Sequence, residues 1–216
     1  MAASLPDGAT LALATGYGPV KTISGITNAN PGVATSAAHG FVNGDLVETK
    51  SGWNRLNERV IRVAASTAGN FNLEGMDTTS TQFYPSGSSQ GGARLITAWT
   101  QITQILGFTT SGGEQQFTNF SFLEEDFERQ LPTITSAQSL QIDIADDPTL
   151  LGYIALKNAA AARNNVALRL TLPNGSAIFY NGIVSLNETP TVTKGNVMQV
   201  SASMSLASRP TRYAVL

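Results

Sequence analysis

Cysteine is absent from this chain, and histidine occurs once, as His39. The first absence excludes disulfides, thiolate metal sites and a cysteine nucleophile. The second leaves carboxylates as the only plentiful metal ligands, yet no calcium-loop spacing occurs, and neither GxGxxG nor GxxxxGK(S/T) is found. A general base at His39 would need a nucleophile and an orienting acid beside it. Ser36 and Asp45 are near in sequence but sit in turn-like segments, so a structural histidine is the expectation. Charge is also scarce, with 13% charged residues and a formal net charge of −2, where soluble domains carry about 25%. No basic stripe is available to hold a phosphate backbone. No run approaches the ~20 apolar residues of a membrane-spanning helix. Met1–Asp7 lacks the charged start and long apolar core of a secretory signal. The expectations are no catalytic residue, no metal, no cofactor, no membrane partner, and synthesis in a cytoplasm.

What the chain does have is length for a real core, 216 residues with 42% apolar, and a surface weighted to Ser, Thr, Asn, Gln and Gly. Such a surface suits a protein that hides much of its exterior in an assembly, and equally an ordinary β domain with a polar uncharged face. Gly8–Thr15 reads as a short strand behind a small N-terminal arm. Between Thr22 and Arg94, β-prone pieces alternate with turn clusters such as Asn43-Gly44-Asp45, the texture of a compact β unit. Ser86–Gly92 (SGSSQGG) is composed like a flexible linker ending that unit. Leu95–Phe108 then resumes as strand, and Phe117, Phe120 and Phe122 cluster after a glycine turn. Leu123–Leu131 (LEEDFERQL) breaks the strand pattern with four acids and one arginine. It reads as a solvated loop or as a surface that meets a neighbour, with Phe127 a natural anchor in a partner's pocket.

Leu140, Ile142 and Ile144 alternate with Gln141 and Asp143, and Met198, Val200, Ala202, Met204 and Leu206 alternate with Gln199, Ser201, Ser203 and Ser205. A row of small polar side chains on one face is unusual. Between these segments one helix is expected, with Asp147 as its cap and Pro148 at its first position. Leu150, Leu151, Ile154, Ala155 and Ala159 form its apolar stripe. Pro173-Asn174-Gly175 turns one strand into AIFYNGIVSL, whose apolar residues fall on both parities, as in a strand covered on both faces.

Gly8–Thr15 and Leu95–Pro210 resemble the lambda-type major tail tube protein of long-tailed phages. The likeness is carried by GATLALA, WTQITQILGF leading to EQQFTNFSFLEED, SLQIDI before a helix, LRLTLPNGSAIFYNGIVSL, TPTVTKGNV and MQVSASMSLASRP. Residues Ile23–Tyr84 resemble a small β module recurrent in phage structural proteins, through ITNANPGVATSAAHGFVNGD, LNERVIRV and FNLEGMD. Such modules are often named after a β domain of ubiquitin-activating enzymes, but the cysteine of that chemistry is missing. The resemblance implies a mainly β chain: a tail-tube β-sandwich or barrel with one flanking α-helix, formed by residues 1–21 and 95–216, and a small inserted all-β domain, 22–94, on the outer surface.

It further implies a structural, non-enzymatic virion protein that self-assembles into stacked hexameric rings, a hollow tail tube that conducts DNA to the host. Its partners would be itself, the tip or initiator, terminator and tape-measure proteins of the tail, and DNA that passes without specific binding. It would be assembled in the bacterial host cytoplasm and reside in the virion tail. On this reading Gln141, Asp143, Gln199, Ser201, Ser203 and Ser205 face the lumen, with Arg169 an awkward cation unless paired. The loop Leu123, Glu124, Glu125, Asp126, Phe127, Glu128 and Arg129 reaches an adjacent ring, as does the N-terminal arm. An alternative is a virion or cell-surface module binding host carbohydrate, with Trp53 and Tyr84 stacking sugars. A carboxylate hydrolase using Glu124, Glu125 or Asp143 is a third reading.

Overall fold

The computed structural model describes residues 7–214. The N-terminal arm expected before Gly8 lies largely outside the described residues. The first strands are β1 (Thr10–Tyr17), β2 (Lys21–Ile23), β3 (Gly25–Ile26), β4 (Val33–Thr35), β5 (Leu46–Ser51), β6 (Arg59–Ala64) and β7 (Asn70–Leu73). The long β8 (Gly91–Ile102) follows, then β9 (Ile105–Gly112), β10 (Gln115–Phe120), β11 (Arg129–Thr135) and β12 (Gln138–Ala145). After the helix α1 (Leu151–Ala162) come β13 (Asn165–Thr171), β14 (Ala177–Thr191), β15 (Gln199–Leu206) and β16 (Thr211–Tyr213). The chain is mainly β with one flanking helix, as expected.

One hydrogen-bonded path runs β3-β4-β7-β6-β5-β8-β1-β13-β14-β15-β12-β9. Its second half explains its shape. β8 and β9 lie six neighbours apart along the path but are joined by only Thr103 and Gln104. The sheet from β8 to β9 must therefore roll up until its ends meet. Inside the roll, Leu11, Leu13, Ile102, Leu140, Ile142, Leu168, Tyr180, Val184, Val200 and Met204 form one buried cluster. The helix closes it with Tyr153, Ala155, Leu156 and Ala159. Gly152 makes the close approach possible, since a Cβ there would come within 2.8 Å of the Gln101 carbonyl oxygen in β8.

A second buried cluster is built from residues between Ile23 and Ala93, among them Phe41, Trp53, Leu56, Ile61, Phe71, Leu73 and Tyr84. A third joins the two, with Leu46 and Val60 meeting Ala14, Ala167, Ala177, Phe179 and Tyr213. Polar contacts reinforce this seam. The Tyr213 hydroxyl accepts from the Arg62 N–H at 2.8 Å and donates to the Glu74 carbonyl at 3.1 Å. Asn181 and Ser208 each donate to the Glu58 carbonyl at 2.8 Å. Glu48, buried in β5, accepts two bonds from Arg94 in β8 at 3.0 and 2.9 Å, and Arg94 also lies 4.0 Å from the centroid of the Tyr17 ring.

Several local readings need correction, among them the helix stripe, where Leu151 and Ile154 are exposed and Tyr153 and Leu156 are buried instead. Ser86–Gly92 is not a linker: Ser89 is buried and accepts from the Ile26 N–H at 3.0 Å. Gly91 and Gly92 begin β8, and a Cβ on Gly91 would lie 1.9 Å from the Lys50 carbonyl oxygen. Gly91 and Gly92 serve close approach of neighbouring chain, a demand that looks the same in composition as flexibility. Asp147 and Pro148 do not cap the helix. Helix α1 starts at Leu151, its N-cap is Leu150, and no side chain caps it. The Asp147 carboxylate is spent locally, accepting the Thr149 N–H at 3.0 Å and hydroxyl at 2.6 Å, which turns the chain before the helix begins. Met198 does not face inward; it precedes β15 and is exposed.

Candidate assembly surfaces

On the outside of the roll, β9, β12, β15 and the second half of β14 present a continuous polar strip. Register places Thr109, Gln141, Ser203 and Ser185 in one cross-strand row. Gly107, Asp143, Ser201 and Asn187 form the next, and Ser111, Ser139, Ser205 and Ile183 the third. Gln199 extends the strip opposite Ala145. All six residues expected to share a polar face therefore do share one, opposite the buried Leu140, Ile142, Ile144, Val200, Ala202 and Met204. The three rows contain no lysine or arginine, and Asp143 is their one acid. That carboxylate is held in place: Ser201 Oγ donates to it at 2.5 Å and Gln141 Nε2 at 3.1 Å. Thr109, Ser111, Ser139, Ser185 and Asn187 also belong to the strip and went unnoticed in sequence, all but Ser139 because neither β9 nor β14 alternates cleanly.

Arg169 lies apart from the strip, on β13 opposite Phe179. Its guanidinium sits 4.9 Å from the centroid of the Trp99 ring, and burial pushes it below the usual guanidinium range. An aromatic face, not an acid, receives the cation.

Among the described residues β10 and β11 pair only with each other, forming an arm that leaves the roll between β9 and β12. The expected loop from Leu123 to Arg129 is the tip of this arm, though Arg129 already belongs to β11. Glu124, Asp126, Phe127 and Glu128 are exposed, Glu125 pairs with Arg129, and Glu128 accepts from Asn119 at 3.1 Å. Phe127 is 71% and Ile134 75% exposed, and Phe117, Phe122, Leu123 and Leu131 are exposed too. An isolated two-stranded hairpin with apolar side chains in water is marginal by itself, and contiguous exposed apolar surface marks an interaction site. The sequence located the acidic tip and missed the arm's length, since exposure on both faces leaves no inward-outward alternation to read.

A second exposed tip, between β14 and β15, carries Val192, Val197 and Met198 near Leu106. The arm continues from Gly112 and Gln138, which are partners at one end of the β9–β12 ladder; Ile105 and Ala145 mark the other end, where Gln199 and this second tip lie. The two apolar projections thus stand at opposite ends of the strip.

Trp53 and Tyr84, the rings that would stack a sugar, are core residues. Trp53 is 1% exposed, meets Tyr84 edge-on with centroids 5.2 Å apart, and donates its indole N–H to the Pro85 carbonyl at 2.7 Å. His39 is buried between Phe41 and Phe71, where Nδ1 accepts the Phe41 N–H at 3.0 Å and Nε2 lies 2.8 Å from the Thr67 carbonyl. With Nδ1 accepting from Phe41, Nε2 is the ring nitrogen placed to donate to Thr67, so both ring nitrogens are engaged within the core.

Residues 51–215 match the family of phage tail tube proteins, TTP. The match spans well over half of the chain, and the chain belongs to that family. No curated protein matches it. Membership makes the protein a structural component of the phage tail.

Proposed function

We propose that this tail tube family member assembles into hexameric rings that stack into a hollow tube, with the strip on β9, β12, β15 and β14 facing the lumen. The observation that carries the reading is the chemistry of that strip. It is long and regular, and apart from Ile183 at its end it offers hydroxyls and amides with one hydrogen-bonded carboxylate and no cation. Each lysine or arginine touching a phosphate would release counterions and hold the DNA. A wall for a passing polyanion must stay wet without gripping, and this one meets both demands.

The edges support the same reading. β9 pairs with β12 on one side and with nothing else among the described residues, so a row of backbone donors and acceptors stays open at its other side. Closing such edges between neighbours around a ring removes their aggregation hazard. The exposed arm at one end of the strip and the second apolar tip at the other suit contacts between successive rings. Residues 22–94 act as an inserted module on the outside of the tube. They have their own core and cover Ala167, Ala177 and Phe179 on the side of β13 and early β14, leaving the strip bare. The tip, terminator and tape-measure proteins would meet the two ends and the bore. Assembly would proceed in the host cytoplasm before the tail joins the virion.

Negative-stain microscopy of the concentrated protein, alone and with a tail-tip initiator complex, tests the proposal. Annuli of six subunits and filaments with a stained central channel are expected. A monodisperse monomer under both conditions would refute it.

A further inference from the structure

Three segments distant in sequence meet at the base of the arm and enclose a cleft of about 720 Å³. Asn54 and Arg55 come from the β5–β6 connection, Gln115, Thr135 and Gln138 from the root of the arm, and Arg209 from the segment after β15. The lining includes two guanidinium groups and no carboxylate. Neither arginine makes an ion pair among the described residues. The Arg55 guanidinium carbon lies over the Phe83 ring, 3.3 Å from its centroid. Arg209 reaches, among the described residues, the Thr135 hydroxyl alone, at 3.5 Å. Just below, Arg59 donates to the Pro210 carbonyl and the Thr211 hydroxyl, at 3.3 and 3.2 Å, and its Nε has no acceptor. Burial holds Arg59 below the usual guanidinium range, and the like charge of Arg209 pushes the same way. Three arginines without an ion pair among the described residues are thus gathered in one place.

The matching negative charge is on the same protein, at the far end of the arm. Glu124 and Asp126 are exposed and have no hydrogen-bond or ion-pair partner among the described residues, and Phe127 projects between Asp126 and Glu128. A chain cannot join its own two halves. β10 has six residues, which at about 3.3 Å each hold the tip roughly 20 Å from its root, and pairing with β11 keeps the arm extended. We propose that the acidic tip of one copy, Glu124, Asp126 and Phe127, seats in the Arg55–Arg209 cleft at the arm root of a second copy. The fork of each arginine receives a carboxylate, and Phe127 enters against Leu206 and Pro210 on the cleft wall. Repeated copy after copy, tip to root, the contact is heterologous, and it extends the assembly wherever its rotation does not close a ring. The inference rests on the self-assembly reading and names the surface that receives the arm.

Charge reversal with rescue tests it in the full-length protein. Arg55→Glu with Arg209→Glu is expected to leave the melting temperature of the unassembled chain nearly unchanged and to raise the concentration needed for assembly at least about tenfold. Adding Glu124→Arg and Asp126→Arg to that variant is expected to restore assembly. Because the native sequence has no cysteine, copies carrying Asp126→Cys mixed with copies carrying Arg55→Cys should be joined by a short bis-maleimide reagent only when assembled. Unimpaired assembly of the reversed cleft, or failure of the four-residue swap to rescue together with no cross-link in assembled tubes, would overturn the pairing and leave the tube function standing. Absence of any assembly by the unmodified chain would sink both.

Discussion

Across β12 and β15 the outer side chains are Ser139, Gln141, Ser203 and Ser205, exposed, with Asp143 and Ser201 half-buried among them, whereas across β10 and β11 the exposed ones include Phe117, Leu131 and Ile134, with Phe127 at the tip. Both surfaces are bare in the single chain, and both are built from strands. Their chemistry separates two kinds of exposure. Water solvates hydroxyls and amides at no cost, so the strip can stay open. The arm's apolar carbons lose by remaining wet, at about 25 cal/mol for each Å² left uncovered. A bare polar face is suited to remain a surface, and a bare apolar arm is suited to become an interface.

The largest test of that contrast removes the arm. Gly112 and Gln138 are already paired across the β9–β12 ladder, so deleting 114–136 and joining Gly113 to Ala137 leaves a short hairpin. No arm residue belongs to the buried cluster inside the roll. The shortened protein is expected to melt within a few degrees of the full chain and to lose filament formation altogether, read by calorimetry and microscopy. Filaments without the arm would erase the distinction drawn above.

Phe127→Ala probes one side chain of the same arm. A well-seated aromatic anchor contributes about 1–3 kcal/mol to association, so the assembly concentration should rise roughly 5- to 150-fold. Ring stacking should suffer more than ring closure, and the melting temperature should not move, because the ring is exposed in the monomer. Images with intact stacks of broken rings would contradict the assignment.

The strip offers the opposite manipulation. Ser203→Arg with Ser185→Arg places two cations in one row of the outer face. Folding and tube formation are expected to persist. The tubes should now retain duplex DNA, with binding that weakens by a slope of about 0.9 per phosphate contact in a log–log plot against salt. Retention measured by co-sedimentation, with unmodified tubes as the reference, decides the matter; equal retention by both would remove the physical reason for a cation-free wall.

Much of this contrast was legible in the sequence, and its limits are instructive. Leu140, Ile142 and Ile144 against Gln141 and Asp143 could be sorted because a half-buried strand writes its two faces at period two. The turn at Pro173-Asn174-Gly175 and the doubly covered start of β14 were readable for similar local reasons. The arm was not, since Gln115–Phe120 and Arg129–Thr135 face solvent on both sides. Asp147 misled because an acid before proline favours both a cap and a free-standing turn, and Thr149 decided for the turn. The cleft at Arg55 and Arg209 joins segments that only the rolled topology brings together, so no local pattern announces it.

The smallest effect expected concerns order within the strip. Asp143 accepts from Ser201 on the neighbouring strand and from Gln141 on its own, so the one acid of the strip is also the point where two strands are tied by side chains. Asp143→Asn keeps the shape and removes the charge that strengthens both bonds. Bonds to an ionised acceptor contribute about 1.5–3 kcal/mol and neutral ones about 0.5–1.5, while partial exposure reduces the difference. Denaturation should show a loss of about 0.5–1 kcal/mol, and Ser201→Ala in the same background should add less than it does alone. Full additivity of the two substitutions would mean that the carboxylate is only a loose surface charge. Coupling between them would mean that even the wettest face of the roll is held in register, as a wall that must stay smooth requires.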